Sequence, residues 1–403
     1  MLQRTAGVLI PLFSLRTERD LGRGEIGGLR AMVDLAMAMG HRMIQLLPLD
    51  EPAPSEASPY SALSVFAIDP MYVSASSLAD ATELRSAQEL VGQRRTPPRA
   101  RLRKVKFDLL ARSFDSFQRR ASSSERAEFE TFCREYQSWL DDYALFRALK
   151  EQFKWRLWES WPDELRRRDA ASLASARREL APPIRKLCFW QYLAGREWRE
   201  VRAYAKSRGV LLGGDLAFSP SRESAEVWAN QQYCDLTRTV GAPPDDFNRD
   251  GQRWGLPMPN WERMRASGYA FWRARARRAR SLYDIVRIDH VVGIYRTFSF
   301  ADQNDRGSFT PADEPHQLEQ GEQVMRAILD EAAPAEVIAE DLGTVPPSVR
   351  QSLTRLAVAG YKVVRWEKIG WGTPRERFLS PSEYPELSVA TTGTHDTETL
   401  TRW

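Results

Sequence analysis

Cysteine and histidine are both scarce: Cys133, Cys188 and Cys234 in a chain of 403 residues, with His41, His290, His316 and His395. Three widely spaced thiols cannot build a disulfide framework and show no zinc spacing; they fit a reduced, cytosolic protein. The histidines form neither H-x-H nor H-E-x-x-H, so the sequence predicts no catalytic metal. No apolar run reaches the length of a bilayer-spanning helix, and no membrane partner is expected. The segment AGVLIPLFSL, with Arg4 ahead of it, has the composition of a short signal-peptide core, but RTERD follows where small cleavage-site residues would stand. It reads as a buried strand, and cytoplasmic is the expected location. A basic excess is also missing. With 58 basic against 54 acidic residues the net charge is +4, too little to predict a nucleic-acid partner.

The 42% hydrophobic content is that of a globular chain long enough to bury a large core. Short apolar runs recur along it: GVLIPLF (7–13), RMIQLLPL (42–49), GVLLGGDLAF (209–218), YDIVRIDHVV (283–292), EVIAEDLG (336–343), YKVVRWE (361–367) and LSVATTGTHD (387–396). Continuous rather than alternating hydrophobicity marks strands covered on both faces, and helical patterns stand between them. The order predicts an α/β fold of the (β/α)8 TIM-barrel type, with polar residues at the strand ends. One interval breaks the rhythm, so residues 1–74 are read as barrel strands one and two, 75–205 as a helical insertion, and 206–403 as strands three to seven.

Three stretches invite other readings. GRGEIG (22–27) matches G-x-G-x-x-G but lies eight residues past its strand, and no acidic ribose partner ends the second strand, which excludes a dinucleotide cofactor. RRTPPRARLRKVK (94–106) reads as a solvated loop, and FWRARARRAR (271–280) as a helix whose arginines face solvent.

The charges that matter stand at strand ends. Asp289, Glu340 and Asp396 terminate the fourth, fifth and seventh runs, and in a parallel barrel those ends converge on one face. A lone Asp after a strand is commonly a helix cap; three carboxylates brought to one pocket would repel unless put to use. Arg287, two residues before Asp289, points the same way and favours an ionised, nucleophilic carboxylate. The apolar VIA ahead of Glu340 favours a protonated acid. Asp396, beside His395, would hold substrate hydroxyls and steady charge at the reacting carbon. An ionised and a protonated carboxyl flanking one bond is the retaining-glycosidase arrangement.

RIDHVVG, IAEDLG and ATTGTHDTETL resemble the three catalytic motifs of the amylomaltases, the 4-alpha-glucanotransferases of glycoside hydrolase family 77. SPYSALSVFAIDPMYV (58–73), WLDDYALFRALK (139–150), GGDLAFSPSRESAEVWA (213–229) and GAPPDDFNRDGQRWG (241–255) extend the resemblance over the whole chain. It implies Asp289 as nucleophile, Glu340 as general acid/base and Asp396 as transition-state stabiliser. Arg287, His395 and Asp215 would serve the sugar in the central subsite, with Tyr60 and Trp254 lining neighbouring ones. The substrates would be α-1,4-glucans and maltooligosaccharides, with no cofactor. Two departures stand out. Leu256 replaces a polar family residue after GQRWG, which touches acceptor preference. The family also continues into an eighth strand and helix, so a fragment of a longer polypeptide is expected. A hydrolase on the same site, or a glucan-binding protein without catalysis, remain the alternatives.

Overall fold

Burial of both faces turns the central apolar runs into parallel strands, whereas the first, expected to be buried, has Gly7 and Leu9 exposed and only Val8 partly covered. The computed structural model describes residues 4–403 except 55, 57, 93–96, 245–248, 303, 371, 396 and 399. Five strands pair in parallel and in chain order: Gly7–Leu9, Met43–Gln45, Leu211–Leu216, Ile285–Ile288 and Glu336–Ala339. A parallel bridge from Ile338 to Ala359 carries the wall on to a sixth strand, Gly360–Val363, which pairs in parallel with a seventh, Ser388–Thr391. This is the wall of a (β/α) barrel. Among the described residues no further strand pairs with the outer edge of the first or the seventh. The three cysteines are free thiols, and no helix of the described residues is long and apolar enough to cross a membrane.

Between the second and third strands the chain is helical, with Arg99–Arg120, Gln137–Gln152 and Ala181–Ser207 the longest elements. Their apolar faces join the core of the barrel. Tyr143, Trp190 and Trp198 lie in one continuous cluster with Ile44, Leu212 and Val286. The indole N–H of Trp198 donates to the Leu282 carbonyl at 2.8 Å, just ahead of the fourth strand.

Two expectations need correction. Residues 99–106 are not a solvated loop but the start of a helix, in which Leu102 and Lys106 are buried. The Lys106 ammonium pairs with Glu25 and donates to the Val73 carbonyl. FWRARARRAR is a helix, Ala270–Leu282, yet Arg275 and Arg278 face inward. Arg275 donates to the carbonyls of Ala217 and Phe218, and Arg278 to that of Phe66 at 2.8 Å. Among the described residues no backbone N–H serves these carbonyls, and a buried guanidinium supplies the donors.

A second sheet was not anticipated. Gln252–Pro259, Cys234–Ala242, Thr297–Phe300 and Ser308–Thr310 form four antiparallel strands in that order. It brings Trp254 to the carboxyl end of the barrel.

The loop after the second strand is fixed from three sides. Glu51, fully buried, accepts from the Tyr143 hydroxyl at 2.5 Å and from Arg147 Nε at 3.1 Å. Gln191 closes on the backbone of Ile68 through its carbonyl, 3.0 Å, and its amide, 2.8 Å. Glu226 accepts from the Ser64 hydroxyl at 2.6 Å and from Val65 N–H at 3.0 Å. Truncating Arg147 to Met leaves the Glu51 charge buried without its main partner, a change that costs about 3–5 kcal/mol. Urea unfolding should register it as a lower midpoint with an unchanged slope. A loss below about 1 kcal/mol, the scale of an exposed pair, would contradict this role.

Candidate active site

Strand register builds the site. Asp215 in the third strand lies directly across from Arg287 in the fourth, so both side chains project from one layer of the barrel interior. Tyr361 of the sixth strand backs the guanidinium, its ring 5.7 Å from Arg287 Cζ, and its hydroxyl meets Gln45 of the second strand at 3.2 Å. Four strands thus hold one arginine in place.

Arg287 then organises the carboxylates. Its Nη1 donates to Asp215 at 2.5 and 2.7 Å and to Asp289 Oδ1 at 3.0 Å; its Nη2 stands 3.2 Å from Glu340 Oε2. The strands end at Ile288 and Ala339, so Asp289 and Glu340 are the first residues beyond them, and the width of one guanidinium sets their separation. Both remain partly open to solvent, with side chains 23% and 20% exposed against 1% for Asp215. Asp215 is the buried brace of the group, and the other two face the pocket.

Electrostatics divide the roles. Burial pushes the Glu340 carboxyl up to about 8. Arg287 and the His290 N–H, which donates to Glu340 Oε2 at 2.8 Å, oppose that shift, while the Asp289 charge adds to it. Desolvation wins. The guanidinium of Arg287 is itself held above its ordinary range by Asp215, Asp289 and Glu340, against the effect of burial, so it stays charged. Burial, then the neighbouring Asp215, raises the Tyr60 phenol. Tyr60 therefore remains a donor, giving its proton to Asp215 Oδ2 at 2.6 Å.

His290 was passed over in the sequence, though it follows Asp289 directly in RIDHVVG. Its backbone is left-handed, φ 45°, a conformation tolerated by few residues other than glycine. That turn aims its N–H at Glu340. Its imidazole is packed edge-on against Trp254 at 4.8 Å and Phe218 at 5.6 Å, and burial lowers it to about 4, so it is neutral near pH 7. Gly293 makes the packing possible, since a Cβ there would stand 2.7 Å from the His290 ring and 2.8 Å from Phe218.

The expected binding residues gather around this centre. Trp254 reaches it through His290. Leu256 pairs with Val240 beyond an irregularity in the same strand, where Trp254 and the left-handed Gly255 fall between the Arg253–Gly241 and Leu256–Val240 pairs. His395 stacks on Tyr60, ring centroids 5.4 Å apart and planes within 15°, which brings the segment after the seventh strand to the Asp215 side of the pocket. Asp396 lies outside the described residues. Among the described residues, no group of three or more His, Cys, Asp or Glu side chains could hold a metal ion.

The Tyr60 bond gives a measurable consequence. Tyr60→Phe removes one of two hydrogen bonds to Asp215 Oδ2, the other coming from Arg287 Nη1 at 2.5 Å, and a hydrogen bond to a charged group contributes about 1.5–3 kcal/mol. The expected result is a kcat/KM roughly 10- to 100-fold lower with little change in Tm; a fall under twofold would mean that the bond is incidental.

The comparisons with known proteins agree along the chain. The family model described as 4-alpha-glucanotransferase matches residues 10–403. The 4-alpha-glucanotransferase of Chlamydia muridarum is 32% identical over 402 residues, which are 98% of this chain and 75% of that protein. The 4-alpha-glucanotransferase of Thermus thermophilus is 32% identical over 378 residues, 90% of this chain and 73% of the relative. Among solved structures, amylomaltase from Streptococcus agalactiae in complex with acarbose superposes with a TM-score of 0.86 at 26% identity, covering 98% of this chain and 80% of that one.

Proposed function

Because the chain belongs to the 4-alpha-glucanotransferases of glycoside hydrolase family 77, enzymes that transfer glycosyl units between α-1,4-glucans, we propose that Asp289, Glu340 and Asp396 carry this transfer by retaining double displacement. The observation that carries the reading is the shared guanidinium of Arg287, which touches Asp289 at 3.0 Å and Glu340 at 3.2 Å while burial keeps Glu340 protonated.

In the first step the Asp289 carboxylate forms a bond to the anomeric carbon of the sugar. The glycosidic bond breaks as Glu340 gives its proton to the departing 4-oxygen. A covalent glycosyl ester remains on Asp289. Forming the ester removes the Asp289 charge, one of the influences that hold Glu340 high, so the Glu340 pKa falls once its proton has been given away. Glu340 is then suited to take the proton from an acceptor 4-hydroxyl as that oxygen attacks the anomeric carbon. Two inversions give retention. Arg287, Asp215 and His395 serve the central sugar, Tyr60 lines a neighbouring subsite, and Asp396 steadies positive charge at the reacting carbon. Trp254 offers an aromatic face for a neighbouring glucose. Maltooligosaccharides are the small substrates that fit this pocket.

The test is product analysis with maltotriose alone. Transfer releases glucose while longer glucans accumulate. Glucose and maltose without longer products would mean hydrolysis, and binding without turnover would remove the catalytic reading.

The acid role of Glu340 fixes the sign of the pH response. Activity needs its protonated form, so kcat/KM of the free enzyme is lost as pH rises through about 8. The pH profile of kcat/KM should therefore carry a basic limb in that region. A profile flat from pH 7 to well above 8 would contradict the assignment.

A further inference from the structure

One cleft, of about 280 Å³, lies outside the carboxylate pocket, between the loop after the first strand, the residues Asp50, Pro52 and Pro59, and the start of helix Arg99–Arg120. Phe13, Arg23, Asp69, Tyr72, Arg99 and Arg103 line it. Three guanidinium groups share this small space; Arg23 lies over the Tyr72 ring and Arg103 over that of Phe107, but their hydrogen bonding is incomplete. Arg23 stands 3.4 Å from Asp69 Oδ2 and donates to the Tyr72 hydroxyl at 3.3 Å, yet its Nε is buried with no hydrogen-bond partner. Arg103 stays 3.6 Å from Glu51 Oε1, beyond hydrogen-bond range of a carboxylate already committed to Tyr143 and Arg147. Arg99 donates to the Ala53 carbonyl at a long 3.4 Å and has no carboxylate partner among the described residues.

The charges do not cancel. Burial and then repulsion from Arg23 lower the Arg99 pKa; Asp69 and Glu56 oppose the shift, and Arg103 adds to it. Asp50, also in the wall, is pushed by burial up to about 8, so it is mostly protonated near pH 7 and offers no compensation. Unused N–H donors and surplus positive charge call for an anion with several acceptor oxygens. A phosphomonoester has three terminal oxygens and close to two negative charges, and guanidinium forks match its geometry. The remaining wall is apolar, made by Phe13, Pro52, Pro59 and Pro97, while the buried Tyr72 ring lies beneath Arg23, 4.9 Å from its Cζ. Pockets for drug-sized ligands span roughly 300–1,000 Å³, so the occupant is smaller than these.

We propose that this cleft binds the phosphomonoester of a monosaccharide, with the phosphate held by Arg23, Arg99 and Arg103 and the sugar against the exposed ring of Phe13.

Calorimetric titration of the full chain at low salt tests the proposal with three probes: glucose 6-phosphate, inorganic phosphate and glucose. Arg99 is exposed and its one hydrogen bond is to a carbonyl, so Arg99→Glu should keep the fold, and Arg99→Gln serves if it does not. Glucose 6-phosphate should bind one to one, at least tenfold more weakly in Arg99→Glu and near the parental affinity in Arg99→Lys. Inorganic phosphate should bind more weakly than the ester, and glucose should not compete with it. No binding of the ester, or equal affinity in the parent and in Arg99→Glu or Arg99→Gln, overturns the site. Inorganic phosphate binding as tightly as the ester overturns the sugar part of the assignment. Competition by glucose at equal concentration overturns the phosphate part.

Discussion

Asp289→Asn should lower turnover of maltotriose by about 10³-fold or more while leaving glucan binding within a few-fold of the parent. An amide has the shape of the carboxylate and can still accept from Arg287 Nη1, so the pocket keeps its geometry. What it loses is the anionic oxygen that must bond to the anomeric carbon. Arg287 retains Asp215 and Glu340 as partners, and the variant should therefore fold. Steady-state kinetics beside a binding isotherm for a maltooligosaccharide separates the two effects. Activity within tenfold of the parent would sink Asp289 as the nucleophile.

The second large effect belongs to Glu340. Glu340→Gln removes the proton that the leaving oxygen needs and the base that the acceptor needs, so transfer between natural glucans should fall by about 10²- to 10⁴-fold. The basic limb near pH 8 should vanish with it. A donor whose leaving group needs no proton, such as an α-maltosyl fluoride, should pass the first step nearly normally. Its reaction should then stop at the ester, because no base remains to activate an incoming hydroxyl. Azide, an anion that needs no such help, should restore turnover. If the fluoride gains no more than a natural glucan does, Glu340 is not the acid.

Much of the barrel was legible because its central strands are covered on both faces and so read as unbroken apolar runs. The four-stranded sheet was not. CDLTRTVGA and QRWGLPMP carry Gly, Pro and charge, lie half exposed, and lack both signatures. The buried arginines misled for another reason. Arg275 and Arg278 recur at helical spacing with Arg273, Arg277 and Arg280, which remain accessible. The sequence alone cannot tell which face meets the carbonyls of Ala217, Phe218 and Phe66. Lys106 and Glu25 form a buried pair across 81 residues, and no local pattern links them.

In the site, Arg287, Asp289 and Glu340 were legible as charges ending apolar runs, and their shared contact follows from strand register. Tyr60, Asp215 and Trp254 were recognisable by family resemblance alone, because a loop tyrosine meets a strand aspartate 155 residues away. His290 carried a signal that went unused: in a chain with few histidines, this one follows Asp289 and precedes two β-branched residues and a glycine. Its left-handed backbone belongs to the fold, and so does the N–H it gives to Glu340.

The central claim is a covalent bond to one residue, and trapping that bond tests it most directly. Glu340→Gln incubated with an α-maltosyl fluoride should accumulate the ester, since the first step needs no acid and the second lacks its base. After acid quenching and proteolysis, mass spectrometry should find one maltosyl group on the peptide that spans Tyr283–Tyr295, with fragmentation locating it at Asp289. A maltosyl group on any other residue would contradict the account, as would fluoride release with no labelled peptide at any time.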